Sequence, residues 1–227
     1  MEKMKKLGTI GKEKKAEETE LVFLLDRSGS MSGLEEDTIR GFNGMIQRHK
    51  KSKAKVYVST VLFDHEALLL HDRREIRSLE EMTERDYFVR GSTALFDAVG
   101  KSILHTIDIQ RKKKSKSKAL FVITTDGMEN SSSEFSRRQV KQLIEKQQRE
   151  YEWEFIFLGA NIDSEETAAG IGISRERAVN YLCDRQGISL NFRAVSEAIA
   201  SYAEEDVIRP SWREKIDRDY RSRGGSR

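Results

Sequence analysis

The segment VFLLDRSGSMSG, residues 22–33, decides the fold of this chain. Its apolar start leads directly into Asp26, and hydroxyl groups follow at alternate positions, Ser28 and Ser30, around Gly29. A short apolar run without helical spacing is typical of a parallel strand that is covered on both faces. The segment therefore predicts a buried strand that ends in one acid and two hydroxyls.

Further strands and turns follow the same logic. The runs ALFVITT (119–125) and WEFIFL (153–158) are short and mostly apolar, and an amphipathic segment follows each of them. In KVYVSTVLFDHEALLLH (55–71), two strand-like runs joined at 64–66 predict a hairpin, and a last short strand is expected at 178–182. Strands that alternate with helices predict an α/β fold: a doubly wound, Rossmann-like sheet, mostly parallel with one antiparallel edge strand and with helices on both faces.

Three segments have the spacing of amphipathic helices. Their apolar or buried-type positions recur at intervals of three and four, which indicates one buried face. These positions are Leu34, Thr38, Phe42, Met45 and His49; Leu95, Val99, Ile103 and Ile107; and Val140, Leu143 and Ile144.

The chain of 227 residues is long enough for one large domain with tails. Residues 1–19 alternate Lys and Glu and are predicted to form a charged N-terminal arm. The domain is expected to span 20–206. Residues 207–227, with seven basic and three acidic side chains, are predicted to form a basic C-terminal tail.

Composition limits the classes of function. Charged residues make up 35% of the chain and nearly cancel, for a formal net charge of +3, so nucleic acid is neither implied nor excluded. The single cysteine, Cys183, excludes an intramolecular disulfide and fits a reducing compartment. No apolar run has the length of a membrane helix or the form of a signal peptide, which predicts a cytoplasmic protein without membrane contact.

Two acids are predicted to meet at one edge of the sheet. In a doubly wound fold the ligand crevice lies outside the carboxyl ends of the strands, where the winding direction reverses. If the hairpin supplies the second and third strands, Asp26 ends the first strand and Asp126 ends the fourth, on either side of that point. Because two like charges repel there, a cation is the natural third component.

Hydroxyl groups complete the expected site. Ser28 and Ser30 follow the first acid, and Thr93 in RGSTALFDAVG begins a predicted helix. An all-oxygen set suits a hard ion, Mg²⁺ or Mn²⁺, whereas zinc is disfavoured because the sequence has no cluster of Cys and His. Neutral hydroxyls leave such an ion electrophilic, so it is expected to attract an anionic oxygen from outside.

The stretches DRSGSM, GSTALFDAV and TTDGMENSS occur in this order at predicted strand and helix ends. Together they resemble the metal-ion-dependent adhesion site of von Willebrand factor A (vWA) domains, which are related to integrin I domains. The likeness spans residues 20–203 and is strongest to small stand-alone bacterial members. It implies that Ser28, Ser30 and Thr93 are direct or switchable ligands, that Asp26 and Asp126 often act through water, and that a partner carboxylate completes the coordination. It also implies helix movement coupled to binding.

Four residues are predicted to form the rim that a partner touches. Glu129 and Asn130 follow the second acid, and Asn161 ends the next strand on the same edge. For Arg27 two interpretations stay open: it points away from the metal, or it offers a charge to an acidic partner.

The predicted function is a metal-dependent protein-binding module, an adaptor or assembly factor, that captures an acidic residue of another protein and is not an enzyme. A Mg²⁺-dependent hydrolase or phosphotransferase is the alternative. It is disfavoured because Ser28 stands where aspartyl-phosphate enzymes carry a second acid, and because GxxxxGK[ST] and GxSxG are absent. A third interpretation is anion or nucleic-acid binding through the basic run 111–118 and the tail. The pattern does not predict an oligomeric state.

Overall fold

The computed structural model describes residues 18–113 and 117–225; most of the predicted N-terminal arm lies outside these ranges. The strands are β1 (Glu18–Asp26), β2 (Lys55–Phe63), β3 (Ala67–Glu75), β4 (Lys118–Thr125), β5 (Glu154–Gly159) and β6 (Ala178–Asn180). The helices are α1 (Glu35–His49), α2 (Leu95–Lys113), α3 (Arg137–Tyr151), α4 (Ser164–Gly170), α5 (Arg185–Glu205) and α6 (Glu214–Ser222).

The strands form one six-stranded sheet in the order β3-β2-β1-β4-β5-β6. All neighbours pair in parallel except β2 and β3, which form the predicted antiparallel hairpin at one edge. The chain adds strands on one side of β1 and then, from β4 onwards, on the other side. The predicted α/β fold class is therefore confirmed, and the winding reverses between β1 and β4.

Strand β1 lies at the centre of the sheet and is covered on both faces. Its alternate residues Leu21, Phe23 and Leu25 face one core, which also contains apolar residues of α1, α5 and α6. Val22 and Leu24 face the other core, with residues of α2, α3 and α4. This two-sided burial is why the strand has an uninterrupted apolar sequence.

Helix α4 is the amphipathic segment expected after the strand at 153–158, whereas α5 and α6 are not predicted above. The signal for α5 was present, because the buried positions Ile188, Phe192, Val195, Ile199 and Tyr202 follow intervals of three and four. Asp184 caps the start of this helix by accepting a hydrogen bond from the Gly187 amide at 2.8 Å.

The C-terminal segment that follows α5 contributes to the core. Ile208, Trp212 and Ile216 are buried in the cluster that also holds the inner face of α5. The basic side chains predicted for the tail alternate with these apolar positions, so part of this segment is an amphipathic cover on α5.

Helices α1 and α5 pack side by side on one face of the sheet. A Cβ atom on Gly41 would lie 2.2 Å from the ring of Phe192, so only glycine permits this close approach. Further along, the imidazole Nε2 of His49 lies 2.9 Å from the hydroxyl of Ser196. Both helices begin at the carboxyl edge of the sheet and run away from it.

No helix within residues 18–113 and 117–225 has the length and apolar character needed to span a lipid bilayer.

Candidate metal centre

Asp26, at the carboxyl end of β1, organises the loop that follows it. Its Oδ1 accepts a hydrogen bond from the Ser28 amide at 2.7 Å, and its Oδ2 accepts one from the Thr125 hydroxyl at 2.6 Å. The side chain is 2% exposed. The buried carboxylate therefore connects the ends of β1 and β4 and turns the loop toward β4.

The two serine hydroxyls reach the second acid. Ser28 Oγ lies 3.3 Å from Ser30 Oγ, and the Ser30 hydroxyl donates to Asp126 Oδ1 at 2.6 Å. Ser30 and Asp126 are 96 positions apart in the chain. The predicted convergence of these loops at the point of reversal is thus observed.

Thr93 joins the same cluster from a third loop. A Cβ atom placed on Gly127 would lie 3.7 Å from Ser30 Oγ and 3.8 Å from Thr93 Oγ1, so both hydroxyls lie over this glycine. The Thr93 amide donates to Asn130 Oδ1 at 2.9 Å, and the Asn130 amide donates to the Thr93 carbonyl at 3.0 Å. These paired bonds fix Thr93 against the loop that carries Asp126.

Burial opposes the negative charge of both acids. It raises the pKa of Asp26; hydrogen bonds from Thr125 and Ser28 offset part of this effect, whereas the nearby charge of Asp126 adds to it. Burial likewise raises the pKa of Asp126, against hydrogen bonds that include one from Ser30. A divalent cation would relieve this repulsion, and two carboxylates with three hydroxyls match the oxygen preference of Mg²⁺ and Mn²⁺.

The sulfur of Cys183 lies at this site, which the sequence did not indicate. Its Sγ is 3.8 Å from Asp126 Oδ2. Burial and the charge of Asp126 raise the pKa of the thiol to about 12, so it is protonated at neutral pH and is a poor metal ligand. Among the described residues no group of three or more His, Cys, Asp and Glu side chains is arranged to hold a metal. A metal ion at this site would therefore need hydroxyl donors as well.

Arg27 does not lie at the rim. Its side chain is 1% exposed, its Nε lies 2.7 Å from Asp64 Oδ2, and its guanidinium carbon lies 5.0 Å from the ring centre of Phe88. The buried charge of Asp64 holds the Arg27 side chain inside the fold, so it is not exposed to a partner.

Asp64 is a residue of the site that the sequence analysis missed, since its position predicted only a hairpin turn. Besides Arg27, its carboxylate accepts hydrogen bonds from the Arg90 guanidinium at 2.9 Å and from the Glu66 amide at 2.9 Å. Its carbonyl accepts from the Ala94 amide at 2.7 Å. Asp64 therefore fastens the loop before Thr93 to the hairpin.

Backbone contacts align this loop with the loop after β1. The Arg90 amide donates to the Arg27 carbonyl at 2.9 Å, and the Gly29 amide donates to the Gly91 carbonyl at 3.1 Å. Gly91 has a φ of +68°, and a Cβ atom there would lie 2.2 Å from His65 Nδ1. The loop conformation thus requires glycine at this position.

Glu129 is also not available at the rim. Its Oε1 accepts from the amides of Ser131 at 2.9 Å and Ser132 at 2.7 Å. Its Oε2 accepts from the Phe96 amide at 2.9 Å and the Ser132 hydroxyl at 2.7 Å. The carboxylate caps the start of α2 and is fully used within the fold.

Two of the predicted rim residues are exposed at the site. Asn130 is held to Thr93, and Asn161 donates from Nδ2 to the Asp126 carbonyl at 3.3 Å. Met128, which the sequence analysis did not select, is 73% exposed two residues beyond Asp126. The rim therefore consists of Met128, Asn130 and Asn161.

Solved structures share this fold. The pilus adhesin SpaC from Lactobacillus rhamnosus GG aligns with a TM-score of 0.66 at 10% identity, over 85% of this chain and 31% of SpaC. Manganese-loaded TRAP protein from Plasmodium vivax aligns with a TM-score of 0.54 at 18% identity, over 77% of this chain and 72% of TRAP. A von Willebrand factor type A structure from Catenulispora acidiphila gives 0.53 at 13% identity, over 81% and 42%.

These similarities show that the fold is that of vWA domains. The chain spans less than half of SpaC and of the Catenulispora chain. No protein-family model matches the sequence, and no curated protein matches it.

Removing the charge of Asp26 should stabilise the fold without metal, and should make it less stable than the wild type when Mg²⁺ is present. We expect Asp26→Asn to stabilise the metal-free protein at pH 7.5, on the order of 1 kcal/mol, because a buried carboxylate beside Asp126 is disfavoured. Saturating Mg²⁺ should stabilise the wild type by about 2 to 3 kcal/mol and the variant far less. Denaturant unfolding in chelator and in Mg²⁺ measures both; a variant that gains as much from Mg²⁺ as the wild type would contradict this assignment.

Asp64→Asn should destabilise the fold by about 3 kcal/mol, because it leaves the Arg27 charge buried without its partner. Asp72→Asn, at the exposed pair with His105, is the matched control and should change stability by less than about 0.5 kcal/mol.

The effect of Asp64 should also depend on pH. Burial raises the pKa of its carboxyl, but the Glu66 amide, Arg90 and Arg27 lower it further, so the net pKa is below its usual range. A lowered pKa stabilises the fold above the unfolded value of about 3.9, and this contribution is lost as the pH falls further. The difference in unfolding free energy between wild type and Asp64→Asn should therefore be constant from pH 6 to 8 and shrink below about pH 4. A constant difference down to pH 2 would argue against the ion pair as its source.

Proposed function

We propose that this chain is a metal-dependent protein-binding module, an adaptor or assembly factor, that captures an acidic side chain of a partner protein. Mg²⁺ or Mn²⁺ would be held by Ser28, Ser30 and Thr93, with Asp26 and Asp126 balancing its charge. The bond from Ser30 to Asp126 carries the proposal, because it joins the loops after β1 and β4 at one point.

The use of the carboxylate oxygens supports this division of roles. Both oxygens of Asp26 already accept hydrogen bonds, from Ser28 and Thr125, so this acid is better placed to balance charge and hold the loop. The neutral hydroxyls do not reduce the charge of the ion. A bound divalent ion supplies Lewis acidity, and the partner's carboxylate is the anionic oxygen that it would attract.

The rim supports a protein rather than a small molecule as the ligand. Met128 offers a flexible apolar side chain at 73% exposure, beside the exposed amides of Asn130 and Asn161. An apolar contact beside neutral hydrogen-bonding groups suits a peptide surface around a central acidic residue.

The surroundings favour binding over hydrolysis. Cys183, the closest thiol, has a raised pKa and is not a nucleophile at neutral pH. Arg27, which follows Asp26, is held by Asp64 away from the cluster. We propose a cytoplasmic location on the ground of the single cysteine.

Direct metal binding tests the first half of the proposal. Electron paramagnetic resonance of free Mn²⁺ should show one bound ion per chain, displaced by Mg²⁺. Asp26→Asn should weaken binding at least about tenfold, whereas the distant control Asp72→Asn should leave it unchanged. Equal Mn²⁺ affinity in all three proteins would refute the metal centre.

Partner capture tests the second half. The tagged chain is incubated with native cytosol in Mg²⁺, in chelator, and in Mg²⁺ with Asp26→Asn. We expect a protein recovered only in the first sample, and substitution of one of its Asp or Glu residues by the matching amide should abolish recovery. A partner recovered equally in all three samples would show that the metal centre is not the binding surface.

A further inference from the structure

A second concave surface lies between helices α1 and α5. This α1–α5 groove has a volume of about 270 Å³, and its polar lining consists of Asp37, Arg40, Arg48, Arg185, Ser189 and Arg193. Gly44 lies along it, and a Cβ atom there would meet no other atom within 4 Å. The groove is therefore open along α1 beyond the point where Gly41 touches Phe192.

The positive charge of the groove is only partly balanced. Asp37 lies 2.8 Å from the Arg40 guanidinium and 3.2 Å from that of Arg185, at the end close to the metal centre. Arg48 and Arg193, at the far end, are exposed and form no hydrogen bond or ion pair within residues 18–113 and 117–225. Two arginines that line the same groove thus face solvent without an ion-pair partner among the described residues.

Helix geometry gives the length of the charged surface. Arg40 and Arg48 are eight positions apart on α1, and Arg185 and Arg193 are eight positions apart on α5. At a rise of 1.5 Å per residue, each pair spans about 12 Å. An extended peptide covers this distance in roughly four residues.

We propose that the α1–α5 groove docks an acidic peptide segment of a partner protein, about four residues long, with its carboxylates at the end that carries Arg48 and Arg193. Arginine is suited to carboxylates because its planar guanidinium donates two parallel hydrogen bonds. Met45 and Phe192 form the floor of the groove but are buried, so its charged side chains are the groups available to a peptide. The groove can bind without the metal centre, which lies at the edge of the sheet where both helices begin.

The distribution of charge favours a peptide over nucleic acid. Glu36 and Asp37 stand at one end of the groove, and Glu197 follows Arg193 by one turn of α5. Ion pairs balance these carboxylates, so the unbalanced positive charge is confined to Arg48 and Arg193. This patch is too short for the continuous phosphate backbone of a nucleic acid, but it suits a short acidic peptide. Residues 1–17 of this chain are unsuitable as an occupant because they contain six Lys and only three Glu.

The test measures fluorescence anisotropy of a fluorescein-labelled octaglutamate peptide with the full chain in chelator. Arg48→Gln/Arg193→Gln should weaken binding at least about tenfold, because both uncompensated charges are lost. Arg74→Gln/Arg138→Gln, which removes two exposed arginines elsewhere, is the matched control and should change affinity by less than about twofold. Thermal melting monitored by circular dichroism establishes that all variants are folded.

Three results would overturn the proposal. Equal losses in both double variants would mean that net charge alone attracts the peptide. A labelled thymidine octanucleotide that binds as tightly as octaglutamate, with the same loss on Arg48→Gln/Arg193→Gln, would assign the groove to nucleic acid. Weaker peptide binding by Asp26→Asn in chelator would place the peptide at the metal centre. We expect the affinity of this variant for the peptide to be unchanged. The peptide test can therefore succeed or fail independently of the metal-binding test.

Discussion

The parallel pairing of β1 and β4 imposes the main constraint on this structure, because it brings two buried acids to the same point. Asp26 ends β1, Asp126 directly follows β4, and burial raises the pKa of both. Hydroxyl groups partly stabilise this unfavourable arrangement. Thr125 donates to Asp26, Ser30 donates to Asp126, and the Ser28 hydroxyl is hydrogen-bonded to that of Ser30. Such an arrangement is unfavourable for the stability of the fold by itself, and a bound cation would offset the repulsion.

The buried ion pair of Arg27 and Asp64 gives this site its rigidity. Replacing a buried ion pair by apolar residues is often neutral for stability, so stability alone does not explain why Arg27 and Asp64 are buried together. Here Asp64 forms an ion pair with Arg27 and accepts hydrogen bonds from Glu66 in the hairpin and from Arg90 and Ala94 around the loop before Thr93. It thereby connects the end of β1, the hairpin and this loop. A hydroxyl ligand must be placed within a fraction of an ångström, and a network of charged hydrogen bonds provides that precision better than apolar packing does.

The sequence predicts those features that a local pattern determines. It does not predict the features that depend on contacts with residues distant in the chain. The apolar runs predicted the strands of the sheet and its point of reversal, and therefore the meeting of Asp26 with Asp126. Arg27 and Glu129 were assigned to the rim because their partners, Asp64 and the amides around Ser132, are specified by tertiary contacts that no spacing reveals. Cys183 reaches the site for the same reason. Helix α5 is a different case, because its apolar positions follow helical spacing in the sequence itself.

The metal centre and the α1–α5 groove would recognise acidic partners by different physics. A hard ion fixed by oxygen ligands selects one carboxylate by geometry, and its contribution depends little on salt once the contact is dry. Exposed arginines such as Arg48 and Arg193 bind a carboxylate in water and attract it over about a Debye length, and salt weakens both effects. Because α1 and α5 both begin at the metal edge, one acidic segment can be attracted along the groove and then held at its end. The groove would then attract the acidic segment and the metal centre would select it. Because the two surfaces are separate, substitutions can alter one without altering the other.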